Sequence, residues 1–181
     1  MHFASPIAGL RAAYERLALV RMAALRDNDE PGAPFNTQLH VEIVGFKPWA
    51  DAYVGVLITP WAIKLVLVAD DPARLKMTPD QRSTHRFPSG EYRMTGGAEP
   101  ECGAFQFCPL FSSAQPFADQ AAAESAAMHF MRDLLVAPEF GAPTDGLSTL
   151  HAESKSLLEA PVSRRGFLRG VFGGSSNRTP H

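Results

Sequence analysis

Two neighbouring runs, Tyr53-Val54-Gly55-Val56-Leu57-Ile58-Thr59 and Ile63-Lys64-Leu65-Val66-Leu67-Val68, constrain what this chain can fold into more than any other feature. Both are rich in β-branched and aliphatic residues. Even read together, with Pro60 and Lys64 inside them, they fall short of the roughly 20 apolar residues of a membrane-spanning helix. Pro60 has no N–H to give to a central ladder, so it marks a turn or bulge between two strands. The pair predicts a hairpin at the centre of a sheet.

The remaining pattern builds around that hairpin. From His40, Val41, Ile43 and Gly45 alternate with Glu42, Val44 and Phe46, which predicts a strand that Pro48 stops. Glu91 to Thr95 and Ala104 to Cys108 read as two further strands around a loop from Gly96 to Gly103. The segment from Asp70 to Arg86 is polar and broken by prolines, and reads as a loop. Ser5-Pro6 opens a helix whose Ile7, Leu10, Tyr14, Leu17 and Leu25 fall near one stripe, ending before the loop that starts at Asp27. A second helix is expected from Phe117 to Leu135, with Asp119 and Glu124 toward its start and Arg132 toward its end, as the helix dipole prefers. The fold class is therefore α+β: a mainly antiparallel sheet of about five strands packed with an N-terminal and a C-terminal helix.

At 181 residues and 45% hydrophobic content, the chain suffices for one domain with a real core plus a tail. We expect the domain to occupy residues 1–137 and a linker with a disordered tail to occupy 138–181. A formal net charge of -2 gives no global field toward nucleic acid or anionic lipid. Met1-His2-Phe3-Ala4-Ser5 lacks the positive region of a secretion signal, so a cytoplasmic location and no stable membrane insertion are expected.

No signature of catalysis stands out. There is no Gly-rich phosphate loop, no nucleophile elbow and no histidine pair at helical metal-ligand spacing. The spacing of Cys102 and Cys108 fits neither a zinc clip nor a redox pair, and buried thiols are the simpler reading. A redox or iron-handling role for these two cysteines is the alternative, and a small enzyme using Asp70, His85 or Cys108 would need a pocket that joins them. Trp49 and Trp61 both sit at strand ends beside prolines, where an indole either packs in the core or lines a groove.

Near the end of the chain, Ser163-Arg164-Arg165-Gly166-Phe167-Leu168-Arg169 reproduces a twin-arginine export signature. The apolar stretch that such a signal needs is missing, since only Gly170-Val171-Phe172 precede a polar end. Read functionally, Ser163, Arg164, Arg165, Phe167 and Leu168 form a pseudo-signal that occupies or recruits a recogniser of such signals. The plainer reading is a solvated basic tail with a short helix capped by Ser163.

Four blocks then carry a resemblance: Trp49; Gly55-Val56-Leu57-Ile58-Thr59-Pro60-Trp61; Phe87-Pro88-Ser89-Gly90-Glu91-Tyr92; and Cys108-Pro109-Leu110-Phe111-Ser112. In order and spacing the chain resembles the HybE/HupJ family of [NiFe]-hydrogenase assembly chaperones, which includes proteins called HoxT, over approximately Leu17 to Leu135. The resemblance implies a non-catalytic maturation factor without a cofactor of its own. It would bind the hydrogenase small-subunit precursor before export, with that precursor's twin-arginine signal peptide and other maturation proteins as further candidate partners. Some relatives carry an appended rubredoxin domain with Cys-x-x-Cys pairs; here an iron-donating step would need a separate protein. Such a client calls for carboxylates to meet two guanidiniums, with Glu42, Asp51, Asp70, Asp71 and Glu91 as candidates. It also calls for aromatics and methionines able to repack, which Trp49, Trp61, Tyr92, Phe111, Met128, Phe130 and Met131 would supply.

Overall fold

The computed structural model describes residues 5–27, 35–71, 75 and 78–137. Helix α1 (Pro6–Asp27) leads into six strands and a closing helix: β1 (Glu42–Trp49), β2 (Ala52–Ile58), β3 (Ile63–Val68), β4 (Arg82–Phe87), β5 (Gly90–Glu99), β6 (Gly103–Phe111) and α2 (Gln120–Leu134). The strands form one antiparallel sheet in the order β1-β2-β3-β6-β5-β4. The two aliphatic runs are β2 and β3, and they are interior strands.

Side-chain alternation divides the core in two. Val54, Val56 and Ile58 of β2, with Ile63, Leu65 and Leu67 of β3, meet Ala123, Ala126, Ala127, Phe130, Met131 and Leu134 of α2. On the opposite face, Leu57, Val66 and Val68 meet Leu10, Tyr14 and Ala18 of α1. Both faces of β2 and β3 are thus dry, which is why these strands read as continuous apolar runs and not as an apolar–polar alternation. α1 lies close against the β5–β6 turn, where a Cβ on Gly9 would collide with the Glu101 carbonyl. Arg16 fixes that contact with ion pairs to Glu99 (2.8 Å) and Glu101 (2.6 Å), and the bond to Arg16 holds the Glu101 carboxyl below its ordinary pKa.

Four sequence readings change. Pro48 does not stop β1, which runs on to Trp49; β1 is an edge strand, and there a missing N–H is tolerated. The expected loop from Asp70 to Arg86 contains β4, an edge strand with no apolar alternation to betray it. Its inward Ser83 and His85 instead bond to the Gln106 side-chain oxygen, at 3.1 and 2.5 Å. The expected loop at Gly96 lies within β5, and the turn comes later, at Glu99 to Gly103. The second helix starts at Gln120, with Asp119 accepting from the Ala122 N–H at 2.8 Å, so Phe117 precedes it and packs on Phe111.

The proline turn is pinned from outside. Thr59 Oγ1 donates to the Ala62 carbonyl (2.6 Å) and accepts from its N–H (3.0 Å), while the Asn36 N–H donates to the Pro60 carbonyl (2.7 Å). Buried Asn36 also donates its side-chain amide to the Ala114 and Phe117 carbonyls, at 3.0 and 2.7 Å, so one residue ties three connections together. Asn36→Ala strands two carbonyls and is expected to cost about 2–4 kcal/mol in urea unfolding. A loss under about 0.5 kcal/mol would show that water replaces the amide.

Lys64 is the one cation beneath α1 in β3. Its ammonium lies 3.3 Å from the Tyr14 hydroxyl, 5.0 Å from that ring's centre and 4.6 Å from the centre of Phe107. Burial, helped by nearby Arg21 and opposed by Glu99, pulls its pKa down to about 8 from 10.5. Between those values the unfolded chain holds a proton that the folded protein has released, so this group makes stability rise with pH. Below about 8 the folded protein carries a desolvated charge. Lys64→Met should therefore lose ground relative to the parent as pH is raised from about 7 to about 10, read as the difference in unfolding free energy. A difference independent of pH would mean that Lys64 is solvated.

Candidate functional site

The register of β1 on β2 slips between Val44 and Lys47, where one extra residue forms a bulge. Gly45 takes φ +65 there, the left-handed conformation that glycine adopts without strain. Having no Cβ, it also lets α2 approach: an added Cβ would sit 3.1 Å from Met131 Cγ. The bulge directs Phe46 to the α1 side of the sheet, with its ring laid over Gly55. Between bulge and helix lies a groove of about 340 Å³, lined by Gly45, Lys47, Met128, His129, Met131 and Arg132. Met131 is its buried floor, whereas Met128 is 54% exposed. Lys47 and His129 make no hydrogen bond or ion pair among the described residues, and Arg132 reaches only Asp133, at 3.4 Å. The groove is methionine-lined with a basic rim.

A train of aromatics runs from the end of β1. Trp49 lies 5.1 Å from Phe87, Phe87 5.6 Å from Tyr92 and Tyr92 6.1 Å from Phe130 of α2, measured between ring centres. The two edge strands, β1 and β4, therefore meet at Trp49 and Phe87, and the sheet curls around the end of α2. The Ser89 N–H closes this corner by donating to the Leu134 carbonyl at 3.2 Å. Tyr92 is buried, its hydroxyl 3.2 Å from Ser89 Oγ, and burial raises its pKa above the ordinary phenol value. Glu91, next along β5, faces solvent and pairs with Arg86 at 2.6 Å.

The other face carries Trp61. Its ring stacks on Tyr14 (6.4 Å, 20°), leans on Phe35 (6.2 Å) and lies under the Arg21 guanidinium (4.6 Å). Past Ala18, α1 has outrun its packing surface. Leu19 is 70% and Val20 59% exposed, and Met22 and Leu25 also face solvent. Leu25 was expected on the buried stripe; the helix leaves the core before reaching it.

The sequence-derived candidates thus scatter. Met128 and Met131 share the groove; Trp49, Tyr92 and Phe111 are packed into the core or its margin, all on the α2 side; Trp61 is half-buried on the α1 side; and Glu91 faces solvent from β5. Ser163, Arg164, Arg165, Phe167 and Leu168 lie outside the described residues, as does the whole 138–181 segment. Sequence reading passed over Gly45, Lys47 and the exposed Leu19, Val20 and Met22, although the last three break the apolar stripe of α1 and could have been found by that misfit.

The chemical alternatives lose their geometry. Cys102 packs with the α1 core and Cys108 against the α2 core, with about 20 Å of extended chain between them, so they cannot share a disulfide or an ion within one molecule. Burial lifts the Cys102 thiol to about 11. Asp70 follows the end of β3 and accepts from the Tyr53 hydroxyl at 3.3 Å, while His85 is engaged by Gln106. Asp70, beside Tyr53 on the α1 side of the sheet, does not meet Cys108 on the α2 side. Among the described residues no group of three or more His, Cys, Asp or Glu could hold a metal ion, and no helix is long and apolar enough to cross a membrane.

Met128→Ala should leave the unfolding free energy within about 0.5 kcal/mol of the parent, whereas Met131→Ala should cost about 2–5 kcal/mol. Equal losses would mean that Met128 is held in the core and is not available to a partner.

Comparison with known proteins bears on what these surfaces meet. Residues 5–170 match the family described as [NiFe]-hydrogenase assembly, chaperone, HybE, a span that includes the 163–169 heptad. The chain is similar to the hydrogenase expression/formation protein HupJ of Bradyrhizobium diazoefficiens, 32% identical over 138 residues and 76% of each chain. It is also similar to the protein HoxT of Cupriavidus necator, 33% identical over 163 residues and 82% of each chain. The solution structure of HybE from Escherichia coli shares the fold with a TM-score of 0.54 at 17% identity, covering 85% of this chain and 93% of that one.

Proposed function

Because the chain belongs to the HybE family of [NiFe]-hydrogenase assembly chaperones, we propose that it binds the precursor of a hydrogenase small subunit and its twin-arginine signal before export. The observation that carries this reading is the solvent-facing apolar half of α1, where Leu19, Val20, Met22 and Leu25 extend beyond the core. Isolated exposed apolar residues are ordinary, but Leu19, Met22 and Leu25 follow one another at i, i+3 spacing, and with Val20 beside them they form an apolar stripe that a client segment can cover. The apolar stretch of a signal peptide has the matching chemistry. On the core side of the same helix turn, Arg21 lies over the half-buried Trp61 ring at 4.6 Å.

The client's arginine pair needs carboxylates. Glu42 is already held by Arg11 at 3.2 Å and Glu91 by Arg86 at 2.6 Å, so either could serve only by exchanging its partner. Asp51, Asp70 and Asp71 lie at the adjoining ends of β2 and β3, where Asp70 accepts from the Tyr53 hydroxyl at 3.3 Å, and they are the carboxylates proposed to meet the client arginines. The domain reading, with residues 1–137 as the binding body and 138–181 as a tail whose Arg164-Arg165 heptad imitates the client signal, belongs to the same proposal.

Affinity capture of the precursor, with and without its signal peptide, tests the assignment. Full-length protein should retain the precursor, and Leu19→Ser with Val20→Ser should reduce capture about tenfold or more while melting stays within a few degrees. Failure to capture either form of the client would overturn the function. Undiminished capture by the double variant would move the contact off α1.

A further inference from the structure

We infer that the groove between the β1 bulge and α2 is a second docking site, which takes an acidic and apolar peptide segment of the client. The inference rests on the proposed chaperone function for the identity of the client, and on the groove for its chemistry. Lys47 stands on the strand side and Arg132 with His129 on the helix side, around Met131 as floor and Met128 as an adjustable wall. Lys47 makes no ion pair within the described residues, and the one carboxylate on Arg132 is its exposed neighbour Asp133. This rim repels an arginine pair. It excludes the twin-arginine segment and favours carboxylates, while the unbranched methionines adapt to whichever aliphatic side chain enters between them.

Strand addition along the free edge of β1 is the competing geometry, and the backbone argues against it. The bulge at Gly45 interrupts the ladder, and Pro48 removes a donor from the same strand. The volume of about 340 Å³ suits one or two side chains and no further strand. Recognition is therefore by side chains: one apolar group on the methionines, with acidic groups on either side.

The probe is a capped, fluorescently labelled peptide in which glutamates flank leucine and methionine. One control replaces its glutamates by lysine, and the other replaces its apolar residues by serine. With the full chain, anisotropy should show salt-sensitive binding of the glutamate peptide and at least tenfold weaker binding of both controls. Lys47→Glu and Arg132→Glu should each weaken it about tenfold, and Met128→Ala several-fold, with melting temperatures recorded for every variant. No binding, equal binding of the lysine peptide, or insensitivity to these variants would overturn the site. Precursor capture on the same proteins separates the two proposals. If charge reversal abolishes peptide binding and leaves capture intact, the groove does not serve the client. If the parent binds the peptide through this groove and captures no precursor, the chaperone function falls and the client with it.

Discussion

Everything in this fold follows from β2 and β3 being apolar on both faces. A strand buried on one side needs one cover; Leu57, Val66 and Val68 on one side, with Val54, Val56, Leu65 and Leu67 on the other, need two. Each such side chain gains about 1.5–3 kcal/mol on leaving water, so an uncovered face would cost more than the net stability of an ordinary domain. The N-terminal helix must therefore cross one side of the sheet and the C-terminal helix the other, although an antiparallel sheet commonly leaves one face wet. The bulge, the glycine beneath Phe46 and the Asn36 bracket all serve to bring those covers close.

With both helices committed inward, the partner surfaces are what the covers leave over. α1 is longer than the sheet it crosses, and its surplus is apolar. α2 is fully used on its inner face, and where it runs beside the bulged edge strand it leaves a shallow groove that is basic and lined with methionine. Two surfaces of different chemistry on opposite sides of one sheet suit a client with more than one feature to be recognised, such as a signal segment and a portion of its body.

The central hairpin, both helices and the α+β class were legible because long apolar periodicity and caps are local signals. β4 was not, since its inward groups are Ser83 and His85, satisfied by a glutamine two strands away, and only tertiary structure supplies that partner. The continuation of β1 through Pro48 depended on its being an edge, a fact of topology and not of composition. Among candidate contacts, the pair Met128 and Met131 was visible as part of one apolar helix side, but sequence could not tell that one lies at the surface and the other beneath it. Lys47 became interesting only when the bulge turned it toward α2. The family resemblance quoted from Trp49, the Gly55-to-Trp61 run and the Phe87-to-Tyr92 block was sound, and those residues build the sheet centre and the Trp49–Phe87 corner, so they identified the family through its scaffold more than through its contacts.

The two edge strands have a consequence for how such a protein lives among unfinished clients. β1 is bent by its bulge and interrupted by Pro48, and β4 alternates exposed Arg82 and Arg86 with polar neighbours. Backbone-to-backbone recruitment, the route by which exposed strands seed polymers, is discouraged at both borders. Attraction is left to side chains alone, which let go as readily as they take hold. A molecule that displays hydrophobic groups can then do so without its sheet borders seeding growth by strand addition.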